Sequence, residues 1–307
     1  MKGKPLLLIL AIVAIAALGY FVSGALLAER EPIAANADTL ALIHNTADAP
    51  ANVPRPSQAE ETSETAAANT EADAPRLNLR LLEIPKTQRG EVLIAHTGYT
   101  LSYDKAHNVP RWVAWELESA ETEGSVGRAN DFGPDPQLDA RHQVTTEDYK
   151  RSGYDRGHMI PAADMHWSYS AMSDCFYMSN MCPQVHELNA GDWEKLEKAC
   201  RRWAKNEGSI YIACGPIYDK GGGQRSIGRE VKVAVPDGFF KVVLSLKKGK
   251  EKAIGFIFRN NASRQPLKEV CCTVDEVEQA TGLDFFPNLD DHMEQRLEAT
   301  ANLKSWH

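Results

Sequence analysis

The sequence predicts an α+β fold: a mixed or antiparallel β-sheet core with flanking helices. Several short stretches alternate apolar and polar residues or form brief apolar runs, as strands do. A few amphipathic segments of helical period stand among them. The two kinds do not follow the strand–helix–strand alternation that a doubly wound parallel sheet requires.

The first quarter of the chain stands apart from this pattern. Lys2 and Lys4 precede an uncharged apolar run over residues 5–28. A helix of ~20 such residues crosses a bilayer, and the lysines place the remainder on its far side. Residues 1–28 are therefore expected to be a signal-anchor, or a leader cleaved near Ser23 and Ala25. Either reading sends the rest of the chain out of the cytosol, anchored in the membrane through residues 5–28 or secreted. Residues 29–76 are rich in Ala, Thr, Glu, Asn and Pro and read as a disordered linker. Residues 77–307 are expected to form the folded domain.

Within that domain, residues 77–84, 91–95, 99–103 and 111–117 read as strands. His96-Thr97-Gly98 and His107-Asn108-Val109-Pro110 are turn-prone separators. Residues 119–152 have no period, and an irregular stretch this long inside a domain points to function. Residues 168–174 suggest a short helix and 176–181 a strand. The strongest helix is predicted over 189–206, where Trp193, Leu196, Cys200 and Trp203 fall three or four apart and Gly208 ends it. Strands follow over 209–214, 230–235, 239–246 and 252–258. Gly221-Gly222-Gly223 reads as a flexible turn, and Lys247-Lys248-Gly249-Lys250 as a solvated hairpin turn. Thr273 and Glu276 form a capping box for a helix ending at Gly282. A last helix is expected within 288–302.

The net charge is −8, half of it in the first 76 residues, which carry five Lys or Arg against nine Asp or Glu. A mildly acidic domain argues against tight, sequence-reading nucleic-acid binding. It leaves room for brief contact with phosphates through a local basic cleft. Six cysteines, at 175, 182, 200, 214, 271 and 272, could oxidise in an exported chain, and the sequence does not choose among their pairings.

Two segments carry chemistry. The first is Asp155-Arg156-Gly157-His158. Phosphodiester hydrolysis needs a proton acceptor for the attacking water and cations for the growing charge. A neutral histidine supplies the first, and an arginine grips phosphate with two donors. Gly157 would permit a tight turn, and Asp155 could pair with an arginine to hold it. The second segment begins at Asn189, followed by Trp193 and Glu197 at +4 and +8. These drift only ~40° per step around a helix, so an amide oxygen and a carboxylate two turns on could flank one ion. Such oxygen donors suit Mg²⁺, which keeps several waters. Read alone, Asn189 is a plain helix N-cap and Glu197 a solvated helix face.

Together the two segments resemble the DNA/RNA non-specific endonuclease family of ββα-metal nucleases, which includes secreted bacterial nucleases and mitochondrial endonuclease G. The resemblance covers roughly residues 77–300. It rests on Asp155-Arg156-Gly157-His158 followed, 31 residues after the histidine, by Asn189 before an amphipathic helix. It implies a ββα-metal motif, His158 as general base and Asn189 as direct ligand to Mg²⁺, with Mn²⁺ as an alternative metal. It further implies that Glu197 holds a metal-bound water and that Arg156 contacts the substrate or supports the site. Arg128 would stabilise the charged transition state, with Asp155 and Asn180 in supporting roles. DNA and RNA are the implied substrates, held by the phosphate backbone, with 5′-phosphate products and a homodimer as a candidate assembly. Two other functions compete: a non-catalytic nuclease-like interaction domain, and a metal-dependent phosphodiesterase acting on small nucleotides.

Overall fold

The computed structural model describes residues 81–219 and 224–306. The predicted leader 1–28, the linker 29–76, residues 77–80 and the turn Gly221-Gly222-Gly223 lie outside the described residues.

Seven strands pair antiparallel in the order β1 (Val92–His96), β2 (Tyr99–Asp104), β3 (Val109–Glu118), β6 (Ser209–Ile217), β9 (Gly238–Ser245), β10 (Lys252–Arg259) and β11 (Cys271–Cys272). Two small ribbons stand beside it, β4 (Asp155–His158) with β5 (Met181–Gln184), and β7 (Ser226–Ile227) with β8 (Val233–Ala234). The helices are α1 (Thr146–Tyr149), α2 (Tyr169–Asp174), α3 (Glu194–Glu207), α4 (Leu267–Val270), α5 (Val274–Thr281) and α6 (Asp291–Glu298).

The large sheet is covered on both faces, and the strand period assigns each residue to one of two cores. Val113, Trp115 and Leu117 of β3 join Ile210, Ile212 and Cys214 of β6 on the face that receives α3. Trp112, Ala114, Tyr211 and Ala213 point the other way, toward Val274 and Val277 of α5 and Leu297 of α6. Burial on both faces explains why β6 and β9 read as continuous apolar runs. On α3, Leu196, Ala199, Cys200, Trp203 and Ala204 are buried, and Trp203 meets Phe256 and Trp306. Full burial of a side chain the size of Leu196 contributes ~1.5–3 kcal/mol, so this helix is held by its face against the sheet. Thr273 caps α5 with the predicted box, and Gly282 closes it with φ +71°.

Three predicted strands differ from the structure. Residues 81–84 form a turn in which Leu81 takes φ +64°, although Leu82 and Ile84 are buried in the second core. In 176–181, Met178–Asn180 is a turn of 3₁₀ helix and the strand begins only at Met181. In 230–235, Asp148 Oδ1 accepts the N–H groups of Arg229, Glu230 and Val231, which bends that stretch and leaves Val233–Ala234 to pair. All six cysteines are free thiols, four of them buried.

Candidate active site

β4 pairs with β5 across an excursion that carries α2, and α3 comes after β5; this ββα unit brings the two sequence segments together. His158 pairs with Met181 and Gly157 with Cys182. A Cβ at Gly157 would overlap the Gln184 side chain of β5, its Cβ included. The glycine therefore permits close approach of two strands, where the sequence suggested a tight turn.

Among the described residues Asp155 does not pair with an arginine. Its Oδ2 accepts from Asn189 Nδ2 at 2.9 Å and lies 2.8 Å from His186 Nδ1. A carboxylate can only accept, so the amide NH₂ faces it and Asn189 Oδ1 is turned away. Asn189 sits within a widened turn, Leu188–Trp193, that is broken at Gly191 (φ −117°, ψ −109°) before α3 begins. It lies inside this turn and is not its N-cap.

His158 is 9% exposed, and its Nε2 has no hydrogen-bond partner among the described residues. Phe176 and Phe132 meet the imidazole edge-on, at centroid distances of 4.9 and 5.6 Å. The Arg128 guanidinium lies 4.9 Å over Phe176 and that of Arg156 lies 4.3 Å over Phe132. Burial first, then these two cations, push the histidine pKa down to about 3. The ring is thus neutral near pH 7.

A cleft of about 600 Å³ opens beside this cluster, lined by Arg128, Phe132, Asp155, Arg156 and Asn189, among others. Arg128 donates from Nε to Asn130 Oδ1 at 2.8 Å. Neither Arg128 nor Arg156 forms an ion pair with a carboxylate among the described residues. Both remain available to an anion.

Glu197 does not line the cleft. It is partly buried on the sheet side of α3, where Lys241, Asp164 and Arg201 are its charged neighbours. Burial raises its pKa to about 7. Lys241 is 1% exposed and its ammonium lies between the rings of Trp115 and Trp193, at 4.9 and 4.6 Å. Asn180 is fully buried. Its side chain accepts from Ile160 N and donates to the carbonyls of Ile160 and Cys175, and its own carbonyl accepts from Met159 N. It clamps the chain immediately after His158.

The irregular stretch 119–152 carries Arg128 and Phe132 and is pinned at both sides of them. Val126 N donates to His166 O, and Gly133 exchanges backbone bonds with Phe176 and Met178. Just beyond, buried Asp135 receives Ser179 Oγ at 2.6 Å and lies 2.9 Å from His96 Nε2. The sequence reading missed Phe132, Phe176 and His186 as neighbours of the site. The aperiodicity of 119–152 was the one available signal for Phe132, and none marked the other two.

A family model described as DNA/RNA non-specific endonuclease matches residues 82–292. The mitochondrial nuclease EXOG of Xenopus laevis is 37% identical over 208 residues, covering 64% of this chain and 58% of that protein. Mitochondrial endonuclease G of Homo sapiens is 34% identical over 208 residues, covering 64% and 70%. Nuclease C1 of Cunninghamella echinulata is 37% identical over 205 residues, covering 62% and 81%. A crystal structure of the EndoG/EndoGI complex superposes with a TM-score of 0.61 at 31% identity, covering 64% of this chain and 86% of that one. The chain spans under two thirds of the EXOG relatives it matches.

These comparisons correct one expectation. Export, with a membrane anchor at residues 5–28, is not upheld: EXOG, endonuclease G and Nuclease 1 of Schizosaccharomyces pombe are mitochondrial nucleases. No helix among the described residues is long and apolar enough to cross a membrane. The match to the family model, the ββα unit and the likeness to endonuclease G agree: the chain belongs to the DNA/RNA non-specific endonuclease family.

Proposed function

We propose that the protein hydrolyses phosphodiester bonds of DNA and RNA with little sequence preference, using a divalent cation, Mg²⁺ in the first instance and Mn²⁺ as a substitute. The observation that carries this reading is the Asn189 amide, held by Asp155 at a cleft that also presents two unpaired arginines. Membership of a ββα-metal family implies the metal, and the donor set fits it. Asn189 Oδ1 is an uncharged hard oxygen turned away from the Asp155 carboxylate that holds its amide, and so free to face a Mg²⁺ ion. Glu197 would act through a metal-bound water, although it faces Lys241 and Arg201 more closely than the cleft. The bound cation supplies positive charge beside the scissile phosphate.

The chain's own residues do the rest. Arg128 and Arg156 bind the phosphate backbone, so contact is independent of base identity. His158 accepts the proton of the attacking water at Nε2. A phosphodiester anion beside the two arginines offsets the charges that depress the histidine pKa, so substrate binding makes the imidazole a stronger base. Asn180 and Asp155 hold the strand and the amide in place. The products would carry 5′-phosphate ends.

The test uses the full chain with plasmid DNA and with RNA. Both should be degraded with Mg²⁺ and neither with chelator. His158→Ala should lower the rate ~10²–10⁴-fold, the usual contribution of a general base. A rate within threefold of the parent would remove His158 from that role, and full activity of Asn189→Ala at low Mg²⁺ would remove the ligand assignment.

A further inference from the structure

On the sheet face opposite α3, α5 and α6 bring three carboxylates together. Asp275 and Glu278 stand one turn apart on α5, and Glu298 is the last residue of α6. One oxygen from each lies within 4.8 Å of the others. Their burial is graded, with Asp275 exposed, Glu278 partly buried and Glu298 only 6% exposed. Glu298 Oε1 is shut off from solvent and has no hydrogen-bond partner among the described residues. Glu278 Oε1 accepts from Phe285 N at 2.7 Å, which fixes that side chain. Lys86, whose charge acts on Glu278, is bonded to Asp284 at 2.8 Å.

We propose that Asp275, Glu278 and Glu298 form a binding site for a hard divalent cation of the calcium type, separate from the candidate active site. Three carboxyl groups this close repel one another when ionised, and one oxygen of Glu298 is buried with no partner among the described residues. A cation at their centre removes both defects. Oxygens on opposite sides of a calcium ion stand ~4.6–5.2 Å apart, twice the usual Ca–O length, so a spread within 4.8 Å fits one ion. All three donors are carboxylates, which suits a hard ion and not a thiolate- or imidazole-seeking one. Calcium also tolerates irregular geometry and completes its shell with water on the exposed Asp275 side. Burial, and then the negative charges of Glu278, Glu294, Asp275 and Asp284, push the Glu298 carboxyl up to about 9, so a cation bound here displaces its proton. The bound ion would tie α6 to α5, and so the end of the described chain to the second core.

The experiment uses the full chain carrying Asn189→Ala, which removes the candidate catalytic ligand and keeps the two sites distinguishable. After treatment with chelator and dialysis, calorimetric titration with CaCl₂ should show one equivalent bound, with Kd on the order of 0.1–1 mM. The Tm should rise with CaCl₂. Adding Glu298→Gln or Asp275→Asn should weaken binding at least tenfold and abolish the Tm rise. Asp275 is exposed, so its variant keeps the test intact if the Glu298 variant fails to fold. Glu298→Gln alone should retain nuclease activity with Mg²⁺ within twofold. The proposal is overturned if the Asn189→Ala protein binds no calcium, if both variants bind it as tightly as that parent, or if Mg²⁺ binds there and calcium does not.

Discussion

His158 offers a prediction whose size follows from its surroundings. The perturbation is acidification, compared between the parent and His158→Gln. A histidine ordinarily titrates near 6.5 and here is pushed down to about 3. Between those values an unfolded chain carries a proton that the folded one refuses. The folded state is therefore penalised progressively as pH falls from about 6.5 toward 3, and not above that window. At about pH 5 the penalty is ~2 kcal/mol, and at the foot of the window it is on the order of 5 kcal/mol. The assay is urea unfolding at about pH 7.5 and about pH 5 for both proteins. Subtracting the variant cancels the other titrating groups, provided they act independently of residue 158. The parent should lose ~2 kcal/mol more than the variant between the two conditions. An NMR titration of the His158 ring should show no protonation down to about pH 5. A difference flat within about 0.5 kcal/mol, or a ring titrating near 6.5, would refute the reasoning that burial and two arginines hold the imidazole neutral.

Two further predictions concern the carboxylates of Asp155 and Asp164. Asp155→Ala releases the Asn189 amide and should weaken metal affinity ~10–100-fold, as loss of an outer partner of a metal ligand does. It is read from the Mg²⁺ concentration giving half-maximal rate, and an unchanged value would sink the orienting role. Arg201→Ala leaves the buried Asp164 carboxylate without the cation bonded to it at 2.8 Å. The expected loss is ~3–5 kcal/mol in denaturant unfolding, and a loss below about 1 kcal/mol would mean that Asp164 is satisfied by other means.

Much of this arrangement was legible in the residues, and the exceptions have specific causes. α3 and the outer strands follow from period, whereas β6 and β9 are legible as unbroken apolar runs because both their faces enter a core. The approach of Asn189 to the Asp155–His158 strand was implied by the family resemblance. Its agent was not: Asp155 bonds an amide and a histidine some thirty residues away, and no local pattern encodes that choice. The stretch 176–181 is apolar enough to be a strand. Buried bonds from Ser179 to Asp135, and from Asn180 to Ile160 and Cys175, coil it instead. Such tertiary bonds override propensity. Likewise 230–235 loses its strand to one carboxylate, Asp148, which arrives from far earlier in the chain. Glu197 keeps its predicted helical position, yet the helix turns it toward Lys241, a buried cation that no periodicity could announce.

The fastening of Val126 to His166 and of Gly133 to its two neighbours has a mechanical consequence. The six residues from Gly127 to Phe132 form a short tether between fixed posts, with a contour of only ~20 Å. Arg128 can swing, but it cannot stray, because any displacement of its backbone is shared with Phe132 and so with the ring beside His158. Chain length is consequently rationed inside those posts, whereas beyond Asp135 the same excursion could lengthen without disturbing the arginine's reach.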